Sequence, residues 1–396
     1  MNKKIYFDNA ATTACSLTVL TAMKPYFRRG FGNGLSQHAY GREAEAAISK
    51  ARTQVADSIG AEPSEIYFTG SGTEANNWAI KGIVESLRGK GRHIVSTQIE
   101  HPSVLNTLEY LQKAGLAEVT YVKPDQNGFI TSKSVADAVR EDTILITVMA
   151  ANNEIGTVQP VSEIAEIAKE RNIYFHTDAV QAAGLLHLNV KSWGCDLMTL
   201  SAHKFHGPKG VGVLYKRNGV RLPKFIHGGE QERGLRGGTH NTAGIVGMGF
   251  ALARATSFRG RNGMKIQGLR NYFEKLIRNR IPDITINGSA VKRLPGISSV
   301  TFDYIEGESI LLRLDLEGIA VSSGSACSSG SLEPSHVLLA CGVPLEKVHG
   351  TIRFSFGRRN KLAEVDYAVE KLEKVVNELR AISPLFAQHK GRSDNV

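Results

Sequence analysis

Between about residues 60 and 215 the 396-residue chain alternates short β-rich runs with helix-patterned segments, and this alternation restricts the fold more than any other feature. A helix between two strands returns the chain to the edge where it began, so successive strands pair in parallel. Seven runs read as strands: residues 65–69, 93–97, 118–122, 143–149, 173–177, 196–200 and 211–215. Between them, Ile80, Ile83, Val84 and Leu87 share one helical face, and Ile164, Ile167 and Ala168 share another. The pattern predicts an α/β domain on a mainly parallel sheet.

From about Ser257 the character changes. A basic helical stretch is followed by a strand-like run at 298–302, a Gly/Ser-rich loop around Cys327, a strand-like run at 352–356 and a final amphipathic helix. This reads as a second, smaller unit. Residues 388–396 are polar and expected to fray.

Composition narrows the classes. With 42% hydrophobic and 22% charged residues the chain is an ordinary globular one. Apolar runs such as 144–151 are too short to span a membrane, and the start runs into Ile5-Tyr6-Phe7 without a signal-peptide core, so a cytoplasmic location is expected. The four cysteines, Cys15, Cys195, Cys327 and Cys341, form no CxxC pair and no zinc-type spacing. They read as thiols in a reducing compartment, with no resident metal. The net charge of +10 is spread along the chain without an RNA-binding signature, which fits a solvated basic surface better than direct nucleic-acid binding. An acidic protein partner or an anionic cofactor is the next reading.

Four segments carry chemistry. Thr69-Gly70-Ser71-Gly72-Thr73-Glu74 follows a strand and opens a helix, where glycines and free N–H groups suit an anion. It matches neither nucleotide fingerprint, and a plain strand-to-helix turn explains it equally well. Ser201 to Gly210, reading Ser-Ala-His-Lys-Phe-His-Gly-Pro-Lys-Gly, begins just past a strand's carboxyl end, the edge where open parallel sheets bind ligands. Lys204 there is placed for Schiff-base chemistry, against the alternative of a solvated loop lysine. In His176-Thr177-Asp178-Ala179-Val180-Gln181 the carboxylate of Asp178 can keep a pyridine nitrogen protonated, or it can simply cap a following helix. Finally, Cys327 lies within Ser322-Ser323-Gly324-Ser325-Ala326-Cys327-Ser328-Ser329-Gly330-Ser331, a run of small residues that cannot bury a thiol in a core. Cys15, Cys195 and Cys341 read as inert structural thiols.

Together, from Tyr6-Phe7-Asp8-Asn9-Ala10-Ala11-Thr12-Thr13 to Ser383-Pro384-Leu385, these motifs resemble the cysteine desulfurases of the aminotransferase class V group in order and spacing. The resemblance covers nearly the whole chain. It implies the fold of type I pyridoxal-phosphate enzymes, with a mainly parallel seven-stranded sheet in a large domain and a smaller α+β C-terminal domain. The division expected is an N-terminal arm at 1–15 packing with the small domain, a large domain at 16–257 and a small domain at 258–396.

The resemblance also implies roles. Lys204 carries the cofactor, pyridoxal 5'-phosphate; Asp178 pairs with its ring nitrogen; Gln181 bonds the ring hydroxyl; His101, in Glu100-His101-Pro102, stacks on the ring and takes part in catalysis. Gly72, Thr73, Ser201 and His203 hold the phosphate, with Thr239 of Arg236-Gly237-Gly238-Thr239 reaching in from a second subunit of a homodimer. Asn153 and Arg353 bind L-cysteine, with Asn33 beside them. Cys327 accepts the sulfur as a persulfide, and alanine leaves.

Cys327 followed by Leu332-Glu333-Pro334-Ser335-His336 is similar to the longer-loop branch that feeds iron-sulfur scaffold proteins, in which the same cysteine also touches the nascent cluster. Two departures stand out: Gly34 replaces the usual proline after Asn33, and the C-terminus is shorter than in members with an extended scaffold-binding tail. The alternatives are a selenocysteine lyase or aminotransferase of the same group, or a basic scaffold or RNA-binding protein that kept the fold. The loop cysteine argues against transamination, which needs no protein thiol.

Overall fold

The computed structural model describes residues 4–323 and 333–393; Cys327 lies outside the described residues. All seven runs form strands, with edges shifted by one or two residues, in the order Ile66–Thr69, Gly212–Lys216, Leu197–Ser201, Tyr174–Asp178, Thr143–Thr147, His93–Thr97, Glu118–Val122. Gly212–Lys216 runs antiparallel to both neighbours and every other pairing is parallel. The strands are apolar because helices cover both faces. Met198 and Val213 face a cluster with Ile48 and Val55 of the helix Ala39–Ile59 and Met248 and Leu252 of the helix Thr242–Ser257. Their neighbours Leu197 and Leu214 face the opposite cluster, with Trp78, Ile80 and Ile83 of the helix Gly72–Ser86 and Leu108 of the helix Pro102–Lys113.

Polar residues inside this sheet are tied across strands. His176 bridges Thr147 Oγ1 at 2.8 Å and Thr199 Oγ1 at 3.1 Å, and burial holds its imidazole down at about 4, neutral at ordinary pH. Gly212 is required where it stands, because a Cβ there would lie 2.4 Å from the Ser71 carbonyl carbon. That close approach brings the Ser71 turn up against Gly212, whose partner in the neighbouring strand is Ser201.

A second sheet is antiparallel throughout, ordered Ser322–Ser323, Thr351–Ser355, Ile297–Phe302, Ile284–Asn287. Its core is closed by the helices Arg259–Arg280, Gly307–Leu316 and Leu362–Ala381 through Phe273, Ile277, Ile310, Leu314, Val369 and Val376. The chain's beginning joins this core. Ile5–Tyr6 pairs in parallel with Ile319–Ala320, and fully buried Phe7 packs on Phe356 with ring centroids 4.8 Å apart. Among the described residues no helix is long and apolar enough to cross a membrane.

Phe175 sits fully buried in the central strand, between helices on its side of the sheet. Phe175→Ala should therefore cost about 3–5 kcal/mol of stability through lost burial and a residual cavity. The denaturation midpoint of the apoprotein measures it, and a loss under roughly 1 kcal/mol would mean that this face is not packed as described.

Candidate active site

Four strands end at one edge, at Thr97, Thr147, Asp178 and Ser201, and the segments that follow converge on a cavity of about 220 Å³. Its walls include Gly72, Thr73, His101, Asn153, Asp178, Gln181, Ser201, His203 and Lys204. Nine of the residues singled out in the sequence thus come together at the expected edge.

Each wall has a local cause. Ser71 caps the helix Gly72–Ser86 by accepting the Glu74 N–H at 3.1 Å, which leaves the first-turn N–H groups of Gly72 and Thr73 facing outward from a positive helix end. A Cβ on Gly72 would meet Val180 Cγ2 at 3.1 Å and Ser201 Cβ at 3.3 Å, so only glycine leaves that wall unstrained. Asp178 does not cap a helix. The residues after it form turns, with Oδ1 accepting the Val180 N–H at 2.9 Å and Oδ2 accepting Asn76 Nδ2 at 2.7 Å.

Lys204 lies in the short 3-10 turn Ala202–Phe205 after its strand, and Nζ donates to the carbonyls of Ala10 at 2.5 Å and Ala11 at 3.0 Å. Gln181 Nε2 donates to the same Ala10 carbonyl at 2.9 Å. The N-terminal arm is therefore part of the site, held down by the Thr13 N–H and hydroxyl on the His203 carbonyl. His203 Nδ1 meets Thr12 Oγ1 at 3.1 Å; burial, with Lys204 and Lys209 nearby, lowers its imidazole to about 4. His101 is likewise lowered, by burial first and then by Lys204 and His336, against the opposing pull of Asp178.

Arg353 approaches from the second sheet. Buried to 2% exposure, it donates from Nη1 to the Asn153 carbonyl at 3.0 Å and from Nη2 to Asp8 Oδ1 at 2.9 Å, with Nε lacking a partner among the described residues. Arg353 thus touches the wall at Asn153 without lining the cavity itself, and neither Asn33, exposed with its Oδ1 accepting the Leu35 N–H, nor Thr239, also exposed, lines it.

Both described ends of the segment carrying Cys327 are anchored at this site. Ser322 pairs opposite Arg353, while Ser335 Oγ donates to Glu154 Oε2 at 2.5 Å and His336 Nε2 donates to the Glu100 carbonyl at 3.0 Å. Glu100 and Glu154 are buried carboxyls pushed up by desolvation, Glu100 to about 8. The sequence reading passed over them, along with Asn76, Ser103 and Asp8. Asn76 had one available signal: it follows Gly72 by four residues and so shares its helical face.

The donor set has a clear chemical meaning. A helix N-terminus with a glycine wall suits a phosphate, a hydrogen-bonded carboxylate suits a protonated ring nitrogen, and a lysine amine suits a carbonyl carbon. These residues fit pyridoxal phosphate. Among the described residues no group of His, Cys, Asp and Glu is placed to hold a metal.

Residues 5–368 match the family described as Aminotransferase class-V. The chain belongs to that family. Within it, the chain is 49% identical to a protein named cysteine desulfurase IscS from Dictyoglomus turgidum over 97% of both chains. It is 50% identical to one of the same name from Methanosarcina thermophila, over 97% of this chain and 95% of the other. A solved NifS-like protein superposes with a TM-score of 0.90 at 39% identity, over 95% of this chain and 100% of that one. The family's cofactor is pyridoxal phosphate, which the cavity's residues fit.

Glu100 makes this class-V protein pH-sensitive in a defined direction. Its folded carboxyl sits at about 8 against an ordinary 4.5, so the stability of the neutral buried form is complete below 4.5 and is lost as the pH climbs toward 8. Glu100→Gln, which keeps an acceptor for Thr97 and the Met149 N–H, should remove that part of the loss. Denaturation midpoints at pH 5.5 and 8 would test this, and parallel curves for the two proteins would refute it.

Proposed function

We propose that this protein is a pyridoxal-phosphate-dependent cysteine desulfurase that takes sulfur from L-cysteine onto Cys327 and releases L-alanine. The observation carrying this reading is the convergence of Lys204, Asp178, the Gly72–Thr73 helix end and Arg353 at one sheet edge, with both described flanks of the Cys327 segment anchored beside them. When bound, the cofactor supplies an electron sink for the substrate's α-carbon. Gly72, Thr73, Ser201 and His203 would hold its phosphate, Asp178 and Gln181 its ring, and His101 its face.

The chain's own residues do the rest. Arg353 clamps the substrate carboxylate as a planar fork, which requires it to share or exchange the prong now on Asp8. Asn153 orients the substrate from the same wall. Lys204 moves the proton at the α-carbon. The Cys327 thiolate then bonds the substrate sulfur, the carbon–sulfur bond breaks with its electron pair left on carbon, and protonation of that carbon completes alanine.

The active enzyme is a homodimer with shared sites. Two observations support this: Thr239 is exposed and does not line its own cavity, and Leu17, Phe27, Phe31, Leu35 and Tyr40 are exposed large apolar side chains in the segment that also holds Asn33. The arm at 1–15, with residues 258–396, forms the smaller domain against a larger one at 16–257. The protein acts in the cytoplasm, and the persulfide passes to an iron-sulfur scaffold or another sulfur acceptor.

Cys327→Ala should keep the visible absorption of the bound cofactor and still respond spectrally to L-cysteine, while alanine formation falls to background. Near-normal alanine release would remove Cys327 from the role and turn attention to Cys15, Cys195 and Cys341.

Shared sites make a second test. Lys204→Ala and Thr239→Asp homodimers should both be inactive. After unfolding and remixing, if half the dimers are mixed, each has one doubly defective site and one intact site, so roughly a quarter of all sites recover. Confirmed subunit exchange without recovery would show that each site is built from one chain.

A further inference from the structure

Asn76 is 1% exposed on the helix Gly72–Ser86 and lines the cavity. Both hydrogens of its amide are in use: Nδ2 donates to Asp178 Oδ2 at 2.7 Å and to Ser103 Oγ at 2.8 Å. The amide orientation follows from the carboxylate, since turning it over would set Oδ1 against another acceptor. In this orientation Oδ1 is buried without a partner among the described residues, a cost that an apolar side chain of similar size would avoid. The position therefore holds an amide for its donors rather than for packing.

The line of hydrogen bonds continues to His101. The Ser103 backbone N–H, which can only donate, points at His101 Nδ1 at 3.1 Å, so Nδ1 is the acceptor and the ring proton sits on Nε2. Ser103 Oγ, already accepting from Asn76, lies 2.8 Å from the same nitrogen and gives its own hydrogen to it. Direction is thus fixed at every step from Asp178 to the imidazole.

We propose that Asn76 and Ser103 are positioning residues of the desulfurase reaction, a relay that fixes the rotamer of the Asp178 carboxylate and, through the second hydrogen bond on Nδ1, the orientation of the His101 ring, the two groups that would hold the cofactor's ring. This rests on the functional reading above. It adds that ring electronics and ring stacking are set together, by residues other than those that would hold the ring. Burial of His101, which lowers its imidazole, acts in the same direction by keeping the ring neutral.

The test uses full-length protein with pyridoxal phosphate and L-cysteine. Asn76→Ala should release the cofactor and lower kcat each by about 10-fold or more, the scale on which outer residues that orient a site act. It should also shift the pH at which bound-cofactor absorption changes, while KM for L-cysteine stays within about two-fold because Arg353 and Asn153 are untouched. Ser103→Ala, at the other end of the relay and only half-buried, should reproduce the kcat loss, and Ser103→Thr should restore it. Nitrogen-15 spectra of apoprotein histidines, with His101→Gln for assignment, should show the Nε2–H form throughout, held by the Ser103 N–H, with the His101 Nδ1 resonance moved toward that of a less hydrogen-bonded nitrogen in Asn76→Ala and Ser103→Ala.

Unchanged cofactor affinity and absorption profile in Asn76→Ala would overturn the relay. So would a loss in Ser103→Ala that only tracks the apoprotein melting temperature. If wild type binds no pyridoxal phosphate, the functional reading fails, and the apoprotein spectra still decide the relay by themselves.

Discussion

One buried guanidinium joins the three parts of this chain. Arg353 belongs to the second sheet, its Nη2 is paired with Asp8 of the N-terminal arm, and its Nη1 holds the carbonyl of Asn153 in the wall of the cavity. A charge buried this deeply is stable only while its partners are in place, and removing one typically costs about 3–5 kcal/mol. Under the proposed function the same fork would meet the substrate carboxylate, so stability and recognition would draw on one group.

The arm's other contacts follow from that placement. Once Asp8 is fixed, the carbonyls of Ala10 and Ala11 fall within reach of Lys204, and Thr13 locks onto the turn that carries it. Lysine is a long, flexible side chain with considerable freedom to lose. Two backbone carbonyl acceptors hold its amine in the cavity wall.

Much of this was legible in the sequence because burial writes a pattern. The seven strands of the main sheet are covered on both faces, so each is an apolar run between turn residues, as at Leu197–Ser201 and Gly212–Lys216. The strand Ser322–Ser323 carried no such signal. Two serines form a strand there only because Arg353 and Ile352 lie opposite. Lys204, Asp178, His101 and the Gly72 turn were readable because they follow strand ends. Asn76 and Ser103 were not, since a polar residue in a helix's early turns reads as solvent-facing unless one knows that two helix beginnings meet across the sheet edge. The arm's carbonyls, being backbone atoms, leave no mark in a sequence at all.

The pairing of Ile5–Tyr6 with Ile319–Ala320 has a consequence for how the molecule comes into being. A ribosome delivers the arm first, yet its partners Ala320, Arg353 and Ser355 belong to the last fifth of the chain. The main sheet can collect during synthesis, with Thr13 within reach of its His203 turn, but residues 5–9 must wait for their partners until nearly every residue has emerged. A chain interrupted between Lys204 and Arg353 would own the lysine and the carboxylate and still lack a finished pocket.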